Sequence, residues 1–240
     1  MNNALTFAER VILFDKKISG VNLDLPQGFQ AINPFSGSQK DQIFQSVTSF
    51  YHKYYNDNKK RRIILGSSPA RRRSAVSGIP FVDSVELNKV LEDSQEFLSL
   101  KNSSSGFLGD VIRTYGGYDL FYTAFYLNFV CPIGIVRTNS DGTTVNCNYY
   151  ENGELREVLY PFIVDSLKSQ LNFGIDMSVC YCIGSGQNFQ FLLDINNQYG
   201  FFETIIPLEH PRYIMQYHSK NKAYYMDKYL KSLKGSRYDC

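Results

Sequence analysis

Four short apolar runs divide the sequence, and each is bounded by polar residues, glycine or proline. They cover residues 63–65, the second half of 121–130, residues 177–183 and residues 204–208. Runs of this length that are rich in β-branched and aromatic residues are typical of buried strands. The pattern therefore predicts four strands.

Helical patterns of apolar residues fill most of the chain between these runs. We expect helices over the following segments: 4–16, 41–55, 84–98, 154–171, 188–199 and 220–233. Pro161 lies inside one of them and is expected to kink that helix or divide it in two. The proline- and glycine-bearing segment 26–34, the serine-rich segment 101–106 and the polar excursion 139–153 are predicted to be surface loops.

Strands that alternate with helices predict an α/β fold with three layers, α/β/α, around a central, mostly parallel four-stranded sheet. The 240 residues suffice for one domain, with an N-terminal helical arm over about 1–60. The carboxyl ends of parallel strands share one edge, where ligands bind. Since Ser68, Asn128 and His210 fall at or just beyond such ends, we expect them at one site.

Charge adds a candidate for phosphate binding. The net charge is only +2, so a nucleic-acid partner would have to be met by a local basic patch. The arginine triplet, which consists of Arg71, Arg72 and Arg73, supplies one together with the basic residues 59–62. Consecutive guanidinium groups after a glycine-bearing turn suit a phosphate, although an arginine run is also typical of a solvated face.

Other classes of protein find less support. The five cysteines are odd in number and lack metal-binding spacing, which favours a reduced, cytoplasmic protein without a metal. No signal peptide or membrane-spanning run is expected. The serine-hydrolase elbow and the nucleotide-triphosphate loop are both absent. Taken alone, His210 and Asn128 are also compatible with structural roles.

Three motifs in order resemble the uracil-DNA glycosylase superfamily, and within it the single-strand-selective monofunctional branch and its bacterial relatives. The first is Gly66-Ser67-Ser68-Pro69, followed thirteen positions after Ser68 by Phe81. The second is Asn128-Phe129-Val130-Cys131-Pro132, and the third is His210-Pro211-Arg212. The resemblance covers residues 63–215.

This resemblance implies that a target base is extruded from DNA and read on its Watson–Crick edge. It implies that Phe81 stacks on the base, that Asn128 reads its edge and that Gly66 and Ala70 line its site. It further implies that His210 stabilises the negative charge that forms on the departing base.

The same resemblance implies contacts with the DNA backbone and groove. The arginine triplet would bind phosphates, and a loop would enter the minor groove with Pro211, Arg212 and Tyr213. It also implies a monomer that needs no metal or other cofactor and acts on DNA.

Two positions depart from the family pattern. Ser68 stands where the family has an Asn or Asp that orients the attacking water, and Ala70 replaces a small Gly. The sequence thus predicts a monofunctional DNA glycosylase for uracil or a related deaminated base. A DNA-binding relative that has lost most catalysis and a plain nucleic-acid-binding α/β module remain as alternatives.

Overall fold

A central sheet of parallel strands lies at the middle of the structure, which is a computed structural model describing residues 4–71, 74–82, 87 and 104–235. Its strands are β2 (Arg61–Gly66), β3 (Phe125–Phe129), β6 (Ile175–Ile183) and β7 (Thr204–Leu208). Their spatial order is β3-β2-β6-β7, and every pair is parallel. The four predicted strands are therefore confirmed.

Helices flank this sheet and complete the predicted three-layer α/β fold, which is confirmed. They are α1 (Phe7–Ser19), α2 (Lys40–Tyr55), α3 (Ser74–Ser77), α4 (Ser104–Tyr115), α5 (Tyr118–Ala124), α6 (Gly153–Leu171), α7 (Gln187–Tyr199), α8 (Pro211–Tyr217) and α9 (Lys222–Gly235). Helices α1 and α2 pack together, as do α4, α8 and α9. Among the described residues, none forms a helix long and apolar enough to span a bilayer.

Helix α6 runs without a break through Pro161, so of the two expected effects of this proline, a kink or a division, the division into two helices is wrong. Asn152 caps its first turn, with its side-chain oxygen accepting a hydrogen bond from the Leu155 N–H (2.9 Å). A buried stripe that includes Leu159 and Ile163 then packs along the helix. This burial outweighs the single backbone hydrogen bond that a proline removes.

A second, antiparallel sheet corrects two of the predicted loops. Its strands are β1 (Phe29–Ile32), β4 (Gly134–Thr138) and β5 (Thr144–Cys147), in the order β1-β4-β5. β1 lies in the segment expected to be a loop around Pro26 to Pro34, and β5 lies in the expected excursion 139–153. Both are four-residue strands of mixed polarity, which carry almost no hydrophobic pattern of their own.

Two further expectations concern the middle of the chain. α4 begins at Ser104, so the serine-rich loop expected over 101–106 is at least partly helical. The helix expected over 84–98 lies outside the described residues, apart from Leu87.

Arg61 is interior and does not belong to a surface patch, which corrects the expectation for residues 59–62. Its side chain is fully buried at the start of β2. The guanidinium donates to the carboxylate of Asp57 (2.8 and 3.0 Å) and to the carbonyl of Tyr122 (2.7 Å). Its central carbon lies 4.9 Å from the ring centroid of Phe7 and 4.8 Å from that of Tyr55. A count of charges along the sequence cannot reveal this internal pairing.

We predict that Asp57→Ala destabilises the fold by about 3 kcal/mol, because it leaves the buried guanidinium without its counter-charge. This value is at the low end for a broken buried pair, since the Asp57 carboxylate is 33% exposed. Urea denaturation measures the loss. Asp227→Ala, which removes the exposed pair with Lys231, is the matched control and should cost less than about 1 kcal/mol.

The same pair predicts a pH dependence. Burial acts to raise the pKa of Asp57, but hydrogen bonds from Arg61 and from the Lys59 N–H outweigh it, so the pKa is lowered. The stabilisation is therefore complete above the unfolded pKa of about 3.9 and disappears as the pH falls through the lower folded value. A difference between parent and Asp57→Ala that stays constant down to pH 2 would contradict this assignment.

Candidate active site

An open cleft of about 1100 Å³ lies at the carboxyl edge of the parallel sheet. One wall is the loop after β2, which contains Ser68, and another is α8 with the preceding His210. Phe81 and Phe129 line the cleft between these walls. The structure thus brings Ser68, Phe81 and His210 together at the edge where the sequence predicted a site.

The aromatic part of the cleft depends on a glycine. A Cβ atom on Gly66 would lie 2.5 Å from Cζ of Phe81 and about 3.1 Å from the ring of Phe129. The two rings are 5.2 Å apart between centroids, with planes inclined by 31°. Only a residue without a side chain lets the Phe81 ring lie against the end of β2 in this way.

Phe81 is held in an unusual backbone conformation, with φ at +64°. This left-handed conformation costs a non-glycine residue roughly 1–2 kcal/mol, so neighbouring contacts must fix it. The N–H of Phe81 donates to the hydroxyl of Ser74 (3.1 Å). The turn before Phe81 requires glycine at position 78, because φ there is +72° and a Cβ would lie 2.6 Å from a methyl group of Ile43. The stacking face is therefore set before any ligand arrives.

The second sequence motif braces the first. The N–H of Val130 donates to the Gly66 carbonyl (2.8 Å), and the N–H of Cys131 donates to the Ser67 carbonyl (2.9 Å). A Cβ on Gly134 would lie 2.5 Å from the Pro69 carbonyl oxygen, so this glycine also permits a close approach. These contacts fix the backbone on both sides of Ser68.

His210 is the N-cap of α8, which begins with Pro211 at its first position. Its Nδ1 accepts a hydrogen bond from the N–H of Arg212 (3.0 Å). In the neutral ring the proton is therefore on Nε2, which makes Nε2–H a donor. The hydroxyl of Tyr229 donates to the carbonyl of Glu209 and so anchors the residue before His210.

The structure does not bring Asn128 to the wall of this cleft. Its side chain is 5% exposed, its Nδ2 donates to the hydroxyl of Tyr126 (2.6 Å) and its Oδ1 accepts from the N–H of Phe129 (2.8 Å). The role expected for Asn128 in reading the base stays a prediction.

The remaining predicted residues fall into two groups. Five of them line the cleft, and these are Ala70, Arg71, Pro211, Arg212 and Tyr213. Arg72 and Arg73 lie outside the described residues. Within the described ranges, no three His, Cys, Asp or Glu side chains come together as metal ligands would.

Sequence reasoning missed the wall formed by β5 and the turn after it. Asn146, Asn148 and Tyr150 line the cleft from this side. The Oδ1 of Asn148 accepts from the Ser67 hydroxyl (3.0 Å), and the Oδ1 of Asn146 accepts from the N–H of Arg71 (3.2 Å). The only signal in the sequence was the density of polar residues, which is equally typical of a loop.

Two ionisable groups on this wall are kept neutral. Burial, assisted by the Glu151 carboxylate, raises the pKa of Tyr150 to about 12. Burial and the same carboxylate raise the pKa of the Cys147 thiol to about 11. At neutral pH Tyr150 and Cys147 therefore present uncharged hydrogen-bonding groups to the cleft.

We predict that Gly66→Ala displaces the Phe81 ring by roughly 1 Å, because ordinary carbon contacts need about 3.5 Å or more. The cost should be about 1–3 kcal/mol of folding free energy, as for other overpacked sites. A crystal structure of the variant measures the displacement of the ring, and urea denaturation measures the loss of folding free energy. Gly153→Ala is the control, since a Cβ there meets nothing within 4 Å, and it should change stability by less than about 0.5 kcal/mol.

Comparisons with known proteins agree with this geometry. The family model for the uracil DNA glycosylase superfamily matches residues 52–234. The crystal structure of wild-type SMUG2 from Pedobacter heparinus aligns with a TM-score of 0.87 and 40% sequence identity, over 97% of this chain and 98% of that one. No curated protein matches the chain.

The family match and the structural match confirm the resemblance drawn from the three motifs. They also confirm the prediction of a DNA glycosylase, a hydrolase of base-excision repair. The chain belongs to the uracil DNA glycosylase superfamily, in its SMUG-like branch.

Proposed function

We propose that this glycosylase extrudes uracil or a related deaminated base from DNA into the cleft and hydrolyses its N-glycosidic bond there. The observation that carries the proposal is the pairing, across one cleft, of a preset aromatic face at Phe81 with the imidazole of His210. A target base cannot be reached within a stacked duplex, so a pocket with a stacking face fits an extruded base.

His210 supports the departure of the base. When the glycosidic bond breaks, its electron pair goes to the base, and negative charge develops on the ring nitrogen and the adjacent carbonyl oxygen. The Nε2–H of a neutral imidazole can donate a hydrogen bond to that oxygen, since Nδ1 is engaged by the N–H of Arg212. A donor fixed in place before the reaction stabilises the developing charge without a reorganisation cost.

Ser68 supports the positioning of water. Ser68 lines the same cleft, and its hydroxyl can both accept and donate hydrogen bonds, but its side chain is shorter than the Asn or Asp expected at this position. A water held by serine is less constrained, and misplacement by about 1 Å can cost on the order of 10² in rate. Slow turnover after competent binding is the expected consequence.

The rim next to His210 fits a single nucleic-acid strand. Tyr213 and Tyr217 line the cleft and are 46% and 67% exposed, and the Tyr213 ring lies 4.8 Å from His218. Exposed aromatic rings provide stacking faces for unpaired bases, and the neighbouring Arg212 provides charge for phosphates. Arg71 carries a second guanidinium at the other wall.

Cleavage of uracil-containing oligonucleotides tests the proposal directly. After incubation with the protein, alkali should break the strand at the uracil position and leave a matched thymine oligonucleotide intact. The cleavage rates on single- and double-stranded substrates with uracil, hypoxanthine or xanthine give the preferred base and the preferred form of DNA. Binding of uracil DNA without any strand break would instead favour the catalytically inactive relative, for which Ser68 is the supporting observation.

We predict that His210→Ala lowers the single-turnover rate on uracil by about 10² or more, since it removes the donor to the departing base. His210→Asn separates this effect from a loss of structure, because Asn is a good N-cap but lacks the imidazole. Both variants should be slow, and only His210→Ala should lose about 1 kcal/mol of stability. A His210→Asn protein that cleaves at the parent rate would contradict the proposed role.

We predict that Ser68→Asn is at least as fast as the parent in single-turnover cleavage, whereas Ser68→Ala is slower. Both should bind uncleavable uracil DNA with the parent affinity, because the residue acts on water and not on the base. If Ser68 only stabilises the turn, Ser68→Ala will lower thermal stability and leave the rate unchanged. A correctly folded Ser68→Asn protein without activity would also refute water positioning.

A further inference from the structure

The cleft contains an amide that the proposed mechanism does not use. Asn148 follows β5 and lines the cleft, whereas the Asn128 amide bonds within β3 and does not line it. A base enclosed in the cleft loses its hydrogen bonds to water, so its polar edge needs partners on the wall. Asn148 offers such a partner at the side of Ser67, directly after the glycine against which the Phe81 ring lies.

Asn148 is held in one orientation by two different partners. Its Oδ1 accepts from the Ser67 hydroxyl (3.0 Å), and its Nδ2 donates to the Glu151 carboxylate (2.6 Å). A carboxylate only accepts, so exchanging the two ends of the amide would set its oxygen against Glu151. The amide still has a second lone pair on Oδ1 and a second N–H on Nδ2 for a ligand.

The turn that carries Asn148 is itself anchored in the core. The next residue, Tyr149, is fully buried, and its hydroxyl donates to the side-chain oxygen of Asn188. Asn188 in turn donates to the carbonyl of Ile183 (2.9 Å), at the end of β6. The Asn148 amide is therefore positioned relative to the central sheet, as recognition by hydrogen bonds requires.

A fixed amide discriminates between two classes of base. Uracil, hypoxanthine and xanthine, like thymine and guanine, present a carbonyl oxygen next to a ring N–H. Cytosine and adenine present an amino group next to a bare ring nitrogen, which reverses donor and acceptor. An amide that cannot turn over accepts the first arrangement and leaves unpaired polar groups against the second.

We infer that Asn148, oriented by Ser67 and Glu151, is the residue that reads the base. Its N–H donates to the base carbonyl and its oxygen accepts from the adjacent ring N–H, so it accepts uracil and the deaminated purines and discriminates against cytosine and adenine. This inference rests on the proposed function of the cleft and names the recognition element within it.

The test compares affinities for two oligonucleotides that resist cleavage, one with 2′-fluoro-2′-deoxyuridine and one with 2′-fluoro-2′-deoxycytidine. Fluorescence anisotropy gives the ratio of the two Kd values. Asn148→Ala should lower the preference for uracil at least about 10-fold, mainly through weaker uracil binding. Glu151→Gln frees the amide to turn over, so it should lower the preference mainly by strengthening cytosine binding.

Asn146→Ala is the matched control. Asn146 lies on the same wall, but its side chain accepts from the backbone N–H of Arg71. Its loss should therefore weaken the binding of both oligonucleotides equally and leave the ratio of the two Kd values unchanged. Thermal unfolding of each variant shows that it is folded. The assignment would be overturned if Asn148→Ala left the ratio of the two Kd values unchanged, or if only Asn146→Ala lowered the preference for uracil.

Cleavage of unmodified uracil DNA by the parent protein is measured separately. It distinguishes a failure of the proposed function from a failure of the role assigned to Asn148. A parent that excises uracil, with an Asn148→Ala variant that keeps the full preference, refutes only the role of Asn148. A parent that prefers uracil in binding but does not excise it refutes the proposed function. The role of Asn148 is then supported if Asn148→Ala abolishes that preference.

Discussion

The site depends on the contact between the Phe81 ring and the backbone of Gly66. β2 is an interior strand of the parallel sheet, and it ends at a residue whose missing side chain makes room for the ring. The strained backbone of Phe81 is stabilised by Ser74 and by the tight turn at Gly78. An aromatic face is thus fixed at the sheet edge, where ligands of parallel α/β folds bind.

The rest of the cleft is built outward from this contact. The backbone after β3 braces the loop that carries Ser68, and the small antiparallel sheet supplies a polar wall that is bonded to the same loop through Ser67. His210 faces the cleft from the far end of the sheet, at the start of α8. Each functional group therefore lies on a segment that is hydrogen-bonded to or packed against the sheet or a helix, although these segments are far apart in sequence.

The central sheet was predictable because β2, β3 and the second half of β6 are largely buried on both faces and so appear as apolar runs bounded by glycine and polar residues. The cleft at its edge followed from topology alone. The three motifs then identified the family, because their order and spacing are far more specific than any one of them.

Features that depend on distant pairing were not predictable. β1, β4 and β5 are strands of only four or five residues, and their mutual pairing makes them strands. The burial of Arg61 depends on Asp57 and on two aromatic rings that the sequence does not mark as neighbours. Asn128 lies in the expected strand, but the direction of its amide is set by Tyr126. The polar wall around Asn148 was not predictable either, because it is built on β5, which only its pairing with β4 defines.

The central claim is that an extruded base stacks on Phe81 within this cleft. A crystal structure of the protein with a single-stranded oligonucleotide that carries 2′-fluoro-2′-deoxyuridine tests it most directly. We predict that the uracil ring covers Phe81, with centroids about 4.5–7 Å apart, and that the sugar carbon of the glycosidic bond faces Ser68. A uracil bound outside the cleft, with the Phe81 ring uncovered, would contradict the account.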